Sequence, residues 1–477
     1  MATPPAAVGA LDRARSKAYI RLLPLLFLSY AIAYVDRINV GLAKLRMTEE
    51  LQGFDNKVVG FGMGIFFIGY LILEIPGTLL VERWSARKWI SRIMISWGIV
   101  AGLTALVKTP FQFYAVRFLL GLAEAGFFPG VIVYLTHWFP VRDRGRALSW
   151  FFIATPVAQF VSPKLSYFLL RLGTSETSGG VTVHYPALWG MQGWQWMYIA
   201  WGIPAVILGI LVLFKLPDWP KDASWLEPDE RDALEQELRR EKEHHKKGHG
   251  HMTVLAALRH PKVLLLAAAY FFVVSTSYGV EFFLPSILEK WYELNLSDLT
   301  WAVIIPPLGG LAGQLLVGWS SDRTGERRLH ASVPIYLGAA ALAGALLIPA
   351  SLSFHARLVW AVALFTVALM GLKSYMPAFW ALPSLLLSET AAAGSIGLIN
   401  SLGNLGGFVG PYVLGFAETQ THSFVPGLMY LCLSMVISAT IILTLGLGHR
   451  IAKPQVAAGS QAHPLFDEET DSIIEPV

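Results

Sequence analysis

Two pairs of ionisable side chains stand in apolar stretches of this sequence. Asp36 and Arg37 are neighbours in the first long apolar run, and Arg117 and Glu124 are seven residues apart in the fourth. In a helix, that spacing puts Arg117 and Glu124 on one face, two turns apart. Because a charge at the centre of a bilayer costs roughly 2.5–3.5 kcal/mol, such residues usually face the protein interior or a water-filled cavity. We therefore expect the four to face one another in a site of zero net charge.

The residue types of this predicted site suit the binding of an organic anion. An arginine presents a fork of N–H donors that matches a carboxylate, and an acid beside it can bind and release a proton. Burial favours the neutral form of a carboxyl group, so Asp36 or Glu124 could carry that proton. The alternative is a set of permanent salt bridges, which stabilise a helix bundle poorly compared with apolar packing.

The composition indicates which elements must position these residues. The chain has 477 residues, of which 54% are hydrophobic and only 15% charged, with a mean hydropathy of +0.52. This balance is typical of a polytopic membrane protein and not of a soluble domain. Apolar runs of about 20 residues can cross a hydrocarbon core about 30 Å thick, and only helices suit such runs in lipid. The twelve predicted spans are 20–42, 58–80, 89–107, 112–134, 147–170, 194–216, 262–288, 299–319, 331–350, 356–385, 394–417 and 424–448.

The distribution of charge predicts the topology. Basic residues cluster in the N-terminal arm and in the 81–92, 140–146 and 320–330 loops, all on one side of the predicted membrane. The positive-inside rule makes that side the cytoplasm, with both termini on it. The predicted parts are an arm at 1–19, a six-helix bundle at 20–216, a linker at 217–261, a second bundle at 262–448 and a tail at 449–477. The net charge of +4 gives no reason to expect a nucleic-acid partner, and the single cysteine excludes an intrachain disulfide.

The linker contains a charged stretch and a histidine-rich stretch. From Glu227 onward, alternating charges and leucines at helical spacing predict a surface helix. A group of four histidines after it could bind a transition metal: His244, His245, His249 and His251. No carboxylate or thiolate completes a shaped site, so a solvated linker is favoured and no metal or cofactor is expected.

A loop motif occurs twice, one half-chain apart. It combines an acid, a base and two further bases at the same spacing after the second and the eighth spans. The expected gating residues are Glu82, Arg83, Asp322, Arg323 and Arg327. The second copy resembles the loop motif G-x-x-x-D-R-x-G-x-R-R of the major facilitator superfamily, whose two halves rock against each other. The first copy departs from it, because Glu82 stands for the aspartate and Ser85 for the glycine.

Further stretches resemble one family of that superfamily, the anion:cation symporters, and in particular its bacterial tartrate, phthalate and sugar-acid transporters. They are residues 33–41, 117–130, 138–140, 193–196, 379–383 and 397–411. The resemblance implies an all-α membrane protein with twelve transmembrane helices in two pseudo-symmetric six-helix bundles. It also implies import of a small organic anion by proton symport, by a multi-pass protein of the bacterial inner membrane that is a monomer.

The family's site residues can be carried over position by position. The resemblance implies that Arg37 contacts the substrate carboxylate and that Asp36 and Glu124 are protonation sites, with Arg117 as their partner. The further substrate contacts that it implies are Tyr34, Tyr70, Trp380 and Asn400. We also expect Thr155 and Tyr278 to contact the substrate. Tyr34 and Tyr70 could instead serve helix packing.

Two spans depart from the family pattern. In the seventh, Glu281 is an additional acid and Phe283 replaces a tryptophan; Glu281 could be a further proton site or face an outer vestibule, which we favour. In the fifth, Thr155 stands where relatives often have glutamine, Gln159 lies one turn on, and Lys164 could contact a second carboxylate.

Two other function classes can be compared with anion import. Exporters of the superfamily usually carry a fifth-span motif G-x-x-x-G-P-x-x-G-G, and residues 154–163 lack it. A proton-coupled antiporter is therefore the alternative and is disfavoured. An enzyme has little support, because no H-E-x-x-H, G-x-S-x-G or phosphate-binding loop is present. The expected partners are a small organic anion, protons and the lipid bilayer.

Overall fold

The computed structural model describes residues 5–83, 85–178, 181–246, 260–383 and 389–447. Twelve helical spans follow one another, six before and six after a linker helix, Pro228–Lys246. Numbered in chain order, spans 1 to 6 are Pro5–Ile38 with Val40–Glu50, Asn56–Arg83, Ala86–Leu103, Pro110–Glu124 with Phe127–Thr136, Val141–Phe152 with Ala154–Leu170, and Gly193–Lys215. Spans 7 to 12 are Pro261–Tyr292, Leu296–Thr324, Arg328–Leu346, Phe354–Ser374 with Met376–Phe379, Glu389–Asn404 with Gly406–Thr421, and Val425–Thr444.

The predicted helical membrane fold is confirmed. Within the described residues, ten helical stretches are long and apolar enough to cross a membrane. The remaining two spans, 5 and 11, are each divided into two helices. Among the described residues, the two strands that pair form an antiparallel hairpin between spans 5 and 6, made of β1 (Ser175–Ser178) and β2 (Val181–His184).

Apolar side chains cover the outside of the bundle, and charged ones lie inside it. Leu119, Phe168 and Leu315 are exposed, whereas Asp36 and Glu124 are buried. This arrangement suits lipid, which solvates apolar side chains and rejects charges.

Two positions inside the membrane-spanning segments are distinctive. In span 1, Asn39 keeps helical dihedral angles, and its side-chain oxygen accepts a 2.6 Å hydrogen bond from Ser162. Span 4 is interrupted at Gly126, whose φ of +84° favours glycine. Irregular backbone at membrane depth is tolerated only where it is buried in protein or lines a cavity. Glu124 lies two residues before the break at Gly126, and Arg37 lies two residues before Asn39, so both positions mark where the functional side chains collect.

One end of the bundle, the linker face, carries the start of span 1 and the linker helix Pro228–Lys246. Lys17 Nζ lies 2.7 Å from Glu230 Oε2, and Arg13 Nε lies 3.2 Å from Glu230 Oε1. The linker helix occupies the stretch whose charge pattern predicted it. Span 1 is helical from Pro5, so residues 5–19 of the predicted arm continue the first span, and Arg13 and Lys17 contact the linker helix.

The opposite end, the hairpin face, carries the β1–β2 hairpin. There Asn56 of span 2 donates a 2.6 Å hydrogen bond to Glu418 of span 11. Lys44 donates to Asn56 at 3.2 Å, and Lys290 lies 2.5 Å from Glu418. Asn56 belongs to the first six spans and Glu418 to the last six, so this polar chain ties the two halves together.

The two halves meet along three pairs of spans: 2 with 11, 5 with 8, and 1 with 7. The packing of span 5 shows where the two halves separate. Its second helix, Ala154–Leu170, packs against span 8, and Lys164 there donates a 3.2 Å hydrogen bond to Thr300. Its first helix, Val141–Phe152, lies toward the linker face and packs against spans 1 and 4 of its own half. Along span 5, the halves are therefore in contact toward the hairpin face and diverge toward the linker face.

Glycines allow close packing between spans 3 and 6, and two of them make a matched test. A Cβ at Gly98 would lie 2.7 Å from the carbonyl oxygen of Gly202, whereas a Cβ at Gly102, one turn away, would meet nothing within 4 Å. We expect Gly98→Ala to destabilise the protein by about 1–3 kcal/mol through overpacking. Gly102→Ala should be neutral or slightly stabilising, because alanine favours helix. Thermal unfolding in detergent measures both, and equal effects would contradict this packing.

Candidate functional site

Arg37 lies at the centre of the predicted site and connects the two halves. Its Nη2 donates to Oε1 of Glu124 on span 4, and its Nη1 donates a 3.2 Å hydrogen bond to the hydroxyl of Tyr278 on span 7. The guanidinium also lies 5.4 Å from the ring centroid of Phe66 and 5.5 Å from that of Tyr70. The Arg37 side chain is 16% exposed and that of Glu124 only 3%. Partial exposure inside the bundle means that the arginine lines a cavity.

Asp36 has a different partner from its neighbour. Its Oδ2 accepts a 2.6 Å hydrogen bond from the indole of Trp97 on span 3. Its Oδ1 has no hydrogen-bond partner among the described residues. Nothing in the local sequence pattern of span 3 predicts Trp97 as the partner of Asp36.

Arg117 is not the ion-pair partner that the sequence predicted. Its side chain is fully buried, its Nε donates to the carbonyl oxygen of Gly62 at 3.4 Å, and its guanidinium lies 5.2 Å from the Phe66 ring centroid. Neither Nη atom has a hydrogen-bond partner in the described part of the chain. Glu124 pairs with Arg37 of another span instead, because the break at Gly126 and the long arginine side chain bring these two groups together.

A second ion pair lies beside the first. Glu281 of span 7 is 2.5 Å from the ammonium group of Lys373 on span 10. The other oxygen of Glu281 accepts a 2.8 Å hydrogen bond from Tyr34, whose hydroxyl accepts one of 2.9 Å from Gln159. Glu281 therefore does not face the outer vestibule that we expected, because it is buried in a cluster built from both halves.

The fifth-span expectations are only partly met by the geometry. Thr155 donates to the backbone oxygen of Phe152 at 3.1 Å, within its own span. Gln159, one turn further on, is the side chain that reaches the cluster. Lys164 is bonded to Thr300 and lies 3.5 Å from the ring centroid of Trp301. It therefore belongs to the contact between halves at the hairpin face, and not to the cluster around Arg37.

Asn400 identifies a further buried acid that the sequence-based prediction did not include. Its amide donates a 2.6 Å hydrogen bond to Glu74 of span 2, and Ser401 donates one of 3.2 Å to the same carboxylate. Glu74 is 5% exposed. A lone acid in the apolar second span is the same signal that singled out Asp36, so it could have been found.

Two of the predicted aromatic side chains contact Arg37. Tyr70 is buried, with its ring facing the Arg37 guanidinium, and the Tyr278 hydroxyl accepts a hydrogen bond from Arg37. Trp380 is half-buried and packs edge-on against Tyr270, with ring centroids 5.0 Å apart. The structure thus brings Tyr70 and Tyr278 to the arginine, whereas Trp380 contacts another aromatic side chain.

The predicted gating loops are described in part. Asp322 pairs with Arg327 at 2.6 Å, whereas Arg323 lies 5.4 Å from the Trp319 ring centroid. The side chains of the first copy, Glu82 and Arg83, lie outside the described residues. The same holds for the linker histidines 244, 245, 249 and 251. Within the described residues, no group of three or more potential metal ligands occurs.

The sequence profile of the Major Facilitator Superfamily matches residues 26–411 of this chain. The chain belongs to that superfamily. As a superfamily member it is a multi-pass membrane protein and a secondary transporter of small organic substrates, and it is not an enzyme. The resemblance seen in the loop motif and the span sequences is confirmed.

Relatives within the superfamily have names that point to different functions. An Agrobacterium vitis protein named "Putative tartrate transporter" is 39% identical over 441 residues, which cover 91% of this chain and 94% of that protein. A "Quinolone resistance transporter" of Acinetobacter baumannii is 36% identical over 418 residues, which cover 87% and 91%. The inward-open structure of the xylose transporter XylE from E. coli superposes with a TM-score of 0.69 at 15% identity, covering 90% of this chain and 96% of that one. That last likeness concerns the fold alone.

The Arg37–Glu124 pair predicts how substitutions combine in stability. Arg37→Met leaves Glu124 buried without its cation, so we expect a loss of about 3–5 kcal/mol. The double variant Arg37→Met/Glu124→Gln should recover most of that loss, because no charge is then stranded. The control is Arg46→Met, whose partner Glu49 is exposed, and it should cost less than about 1 kcal/mol. Thermal unfolding in detergent measures all three; a double variant as unstable as Arg37→Met would contradict the pairing.

Proposed function

We propose that this transporter imports a small organic anion together with protons. The observation that carries the proposal is the Arg37–Glu124 pair, in which the cation lines the cavity and the acid is buried behind it. An anion that enters the cavity meets the guanidinium before it meets the carboxylate. Arginine binds carboxylates through two parallel N–H donors, so a carboxylate is the anionic group that suits this position best.

Competition for Arg37 couples the anion to the proton. A substrate carboxylate and Glu124 offer the same ligand to the same guanidinium. When Glu124 loses that partner, its buried carboxylate is left without a compensating charge, and protonation becomes the less costly state. Anion binding at Arg37 and proton binding at Glu124 therefore favour each other.

The neighbouring acids extend this scheme. Asp36 is adjacent to Arg37 and has one free carboxylate oxygen among the described residues, so it is a second candidate for the coupled proton. Arg117, whose Nη atoms have no hydrogen-bond partner among the described residues, is the proposed compensating charge for these acids. Tyr34, Tyr70, Thr155, Tyr278, Trp380 and Asn400 remain the proposed substrate contacts, with Thr155 the weakest because its hydroxyl is bonded within its own helix.

Substrate contacts from both halves suit alternating access. Tyr278 belongs to the second half and touches Arg37 of the first, so a substrate between them would draw the halves together. The polar chain through Asn56 and Glu418 would then have to break for the hairpin face to open. The Asp322–Arg327 loop is the proposed gate on the opposite face, with Glu82, Arg83 and Arg323 in supporting roles.

The orientation and the substrate class are also part of the proposal. Basic loops on the linker face support a cytoplasmic position for that face and for both termini, in a bacterial inner membrane. A monomer suffices, since both halves of the site come from one chain. Dicarboxylates, sugar acids and aromatic carboxylates all fit the arginine, and the name of the Agrobacterium vitis relative favours a tartrate-like anion.

A second candidate function is proton-coupled export. The name of the Acinetobacter baumannii relative is the observation in its favour. An exporter would exchange its substrate for protons, so an inside-alkaline gradient would not drive accumulation of the substrate in the same compartment.

Uptake into liposomes tests import and coupling together. With purified protein in liposomes, we expect L-tartrate to accumulate when the interior is alkaline. Glu124→Gln should still exchange labelled for unlabelled tartrate, because Arg37 is then free to bind it, but should not concentrate tartrate in response to the gradient. The matched control is Glu49→Gln, which should transport normally. Glu49 is an exposed acid of span 1 that lies 3.0 Å from Arg46.

Two results would contradict parts of this account. Gradient-driven accumulation by Glu124→Gln would move the coupling role to Asp36 or Glu281. Accumulation only when the gradient is reversed would favour the exporter.

A further inference from the structure

The proposed coupling scheme does not use the second ion pair, between Lys373 and Glu281. Glu281 lies on span 7, and Lys373 lies in the last turn of helix Phe354–Ser374 in span 10. The ammonium nitrogen is 2.5 Å from Oε1 of the carboxylate. Tyr34 donates to the other oxygen at 2.8 Å.

The exposure of this pair follows the same pattern as that of the first pair. The Lys373 side chain is 22% exposed and that of Glu281 is 5% exposed, compared with 16% for Arg37 and 3% for Glu124. In each pair the cation reaches the cavity and the acid lies behind it. A pair that served only packing would gain nothing from an accessible cation, since water weakens its attraction to the acid.

The two pairs are neighbours through spans 1 and 7. Arg37 bonds to Tyr278, and Tyr34 bonds to Glu281. Tyr34 and Arg37 are three residues apart on one helix, and Tyr278 and Glu281 are three apart on the other, which is about one helical turn in each case. The two hydrogen bonds therefore cross within about one turn, or ~5 Å, of helix, so both ion pairs border the same short section between spans 1 and 7.

We propose that Lys373 is a second carboxylate-binding group, so that the transported anion is a short dicarboxylate held by Arg37 at one end and Lys373 at the other. The inference rests on the proposed function, in which Arg37 takes the first carboxylate. Glu281 acts as the counter-ion that the second carboxylate displaces. Tyr34, supported by Gln159, keeps a hydrogen bond to Glu281 after the displacement, which limits the cost of losing its cation.

Paired probes isolate the second carboxylate. L-Tartrate and its monoamide have nearly the same shape, but the monoamide lacks one negative charge. We expect the wild-type protein to bind tartrate on the order of tenfold or more tightly, because a charge-assisted hydrogen bond to Lys373 is lost with the amide. Dissociation constants are measured by intrinsic tryptophan fluorescence on purified protein in detergent, and the readout is the ratio of the two constants.

Variants of the pair should change this ratio in opposite directions. In Lys373→Gln/Glu281→Gln, which removes both charges together, the ratio should fall to near one. In Glu281→Gln, Lys373 loses its competing partner, so tartrate should bind more tightly and the ratio should rise. Lys373→Arg should keep the preference. The matched control is Lys290→Gln/Glu418→Gln, which removes a Lys–Glu pair of the same 2.5 Å separation at the hairpin face and should leave the ratio unchanged.

The outcomes separate this inference from the proposed function. A ratio near one in the wild-type protein, or an unchanged ratio in both Lys373→Gln/Glu281→Gln and Glu281→Gln, would overturn the role of Lys373 while leaving Arg37 as the anion site. Loss of both probes in Arg37→Lys alone would support the arginine site, because an ammonium cannot reproduce the bidentate fork. If the wild-type protein bound neither probe, the proposed function would fail and this inference with it.

Discussion

The structure depends on one interaction, the pairing of Arg37 with Glu124 inside the membrane-spanning part of the protein. Two charges in this position are costly unless each compensates the other. Because Arg37 also bonds to Tyr278, the same side chain holds an acid of its own half and contacts the opposite half. A change in the charge of Glu124 therefore alters both what the arginine can bind and how the halves are connected.

The surrounding elements make this pairing possible. The break at Gly126 ends the first helix of span 4 at Glu124, and Asn39, two residues after Arg37, is bonded to Ser162 of span 5. At the hairpin face, the polar chain from Lys44 through Asn56 to Glu418 connects the two halves. Access from the linker face suits this arrangement. The part of span 5 that lies there, Val141–Phe152, packs mainly against spans 1 and 4 of its own half.

The sequence predicts the spans and the charged residue types well, because both follow from the cost of exposing polar groups to lipid. It predicts partners poorly. Helical spacing places Arg117 and Glu124 on one face, yet Glu124 pairs with Arg37, since the reach of a side chain across a cavity depends on how the spans cross. Lys373 illustrates the same limit: it pairs with Glu281, 92 positions earlier by their residue numbers, and no periodicity connects residues on different spans.

The central claim is that an anion displaces Glu124 from Arg37 and that Glu124 then takes up a proton. The most direct measurement is calorimetric titration of L-tartrate into purified protein near neutral pH, in buffers of different ionisation enthalpy, which gives the number of protons bound with the anion. The account predicts net proton uptake by the wild-type protein and about one proton fewer in Glu124→Gln, since linkage ties a displaced, buried carboxylate to proton binding. Equal proton uptake in the two proteins, or none in the wild type, would contradict it.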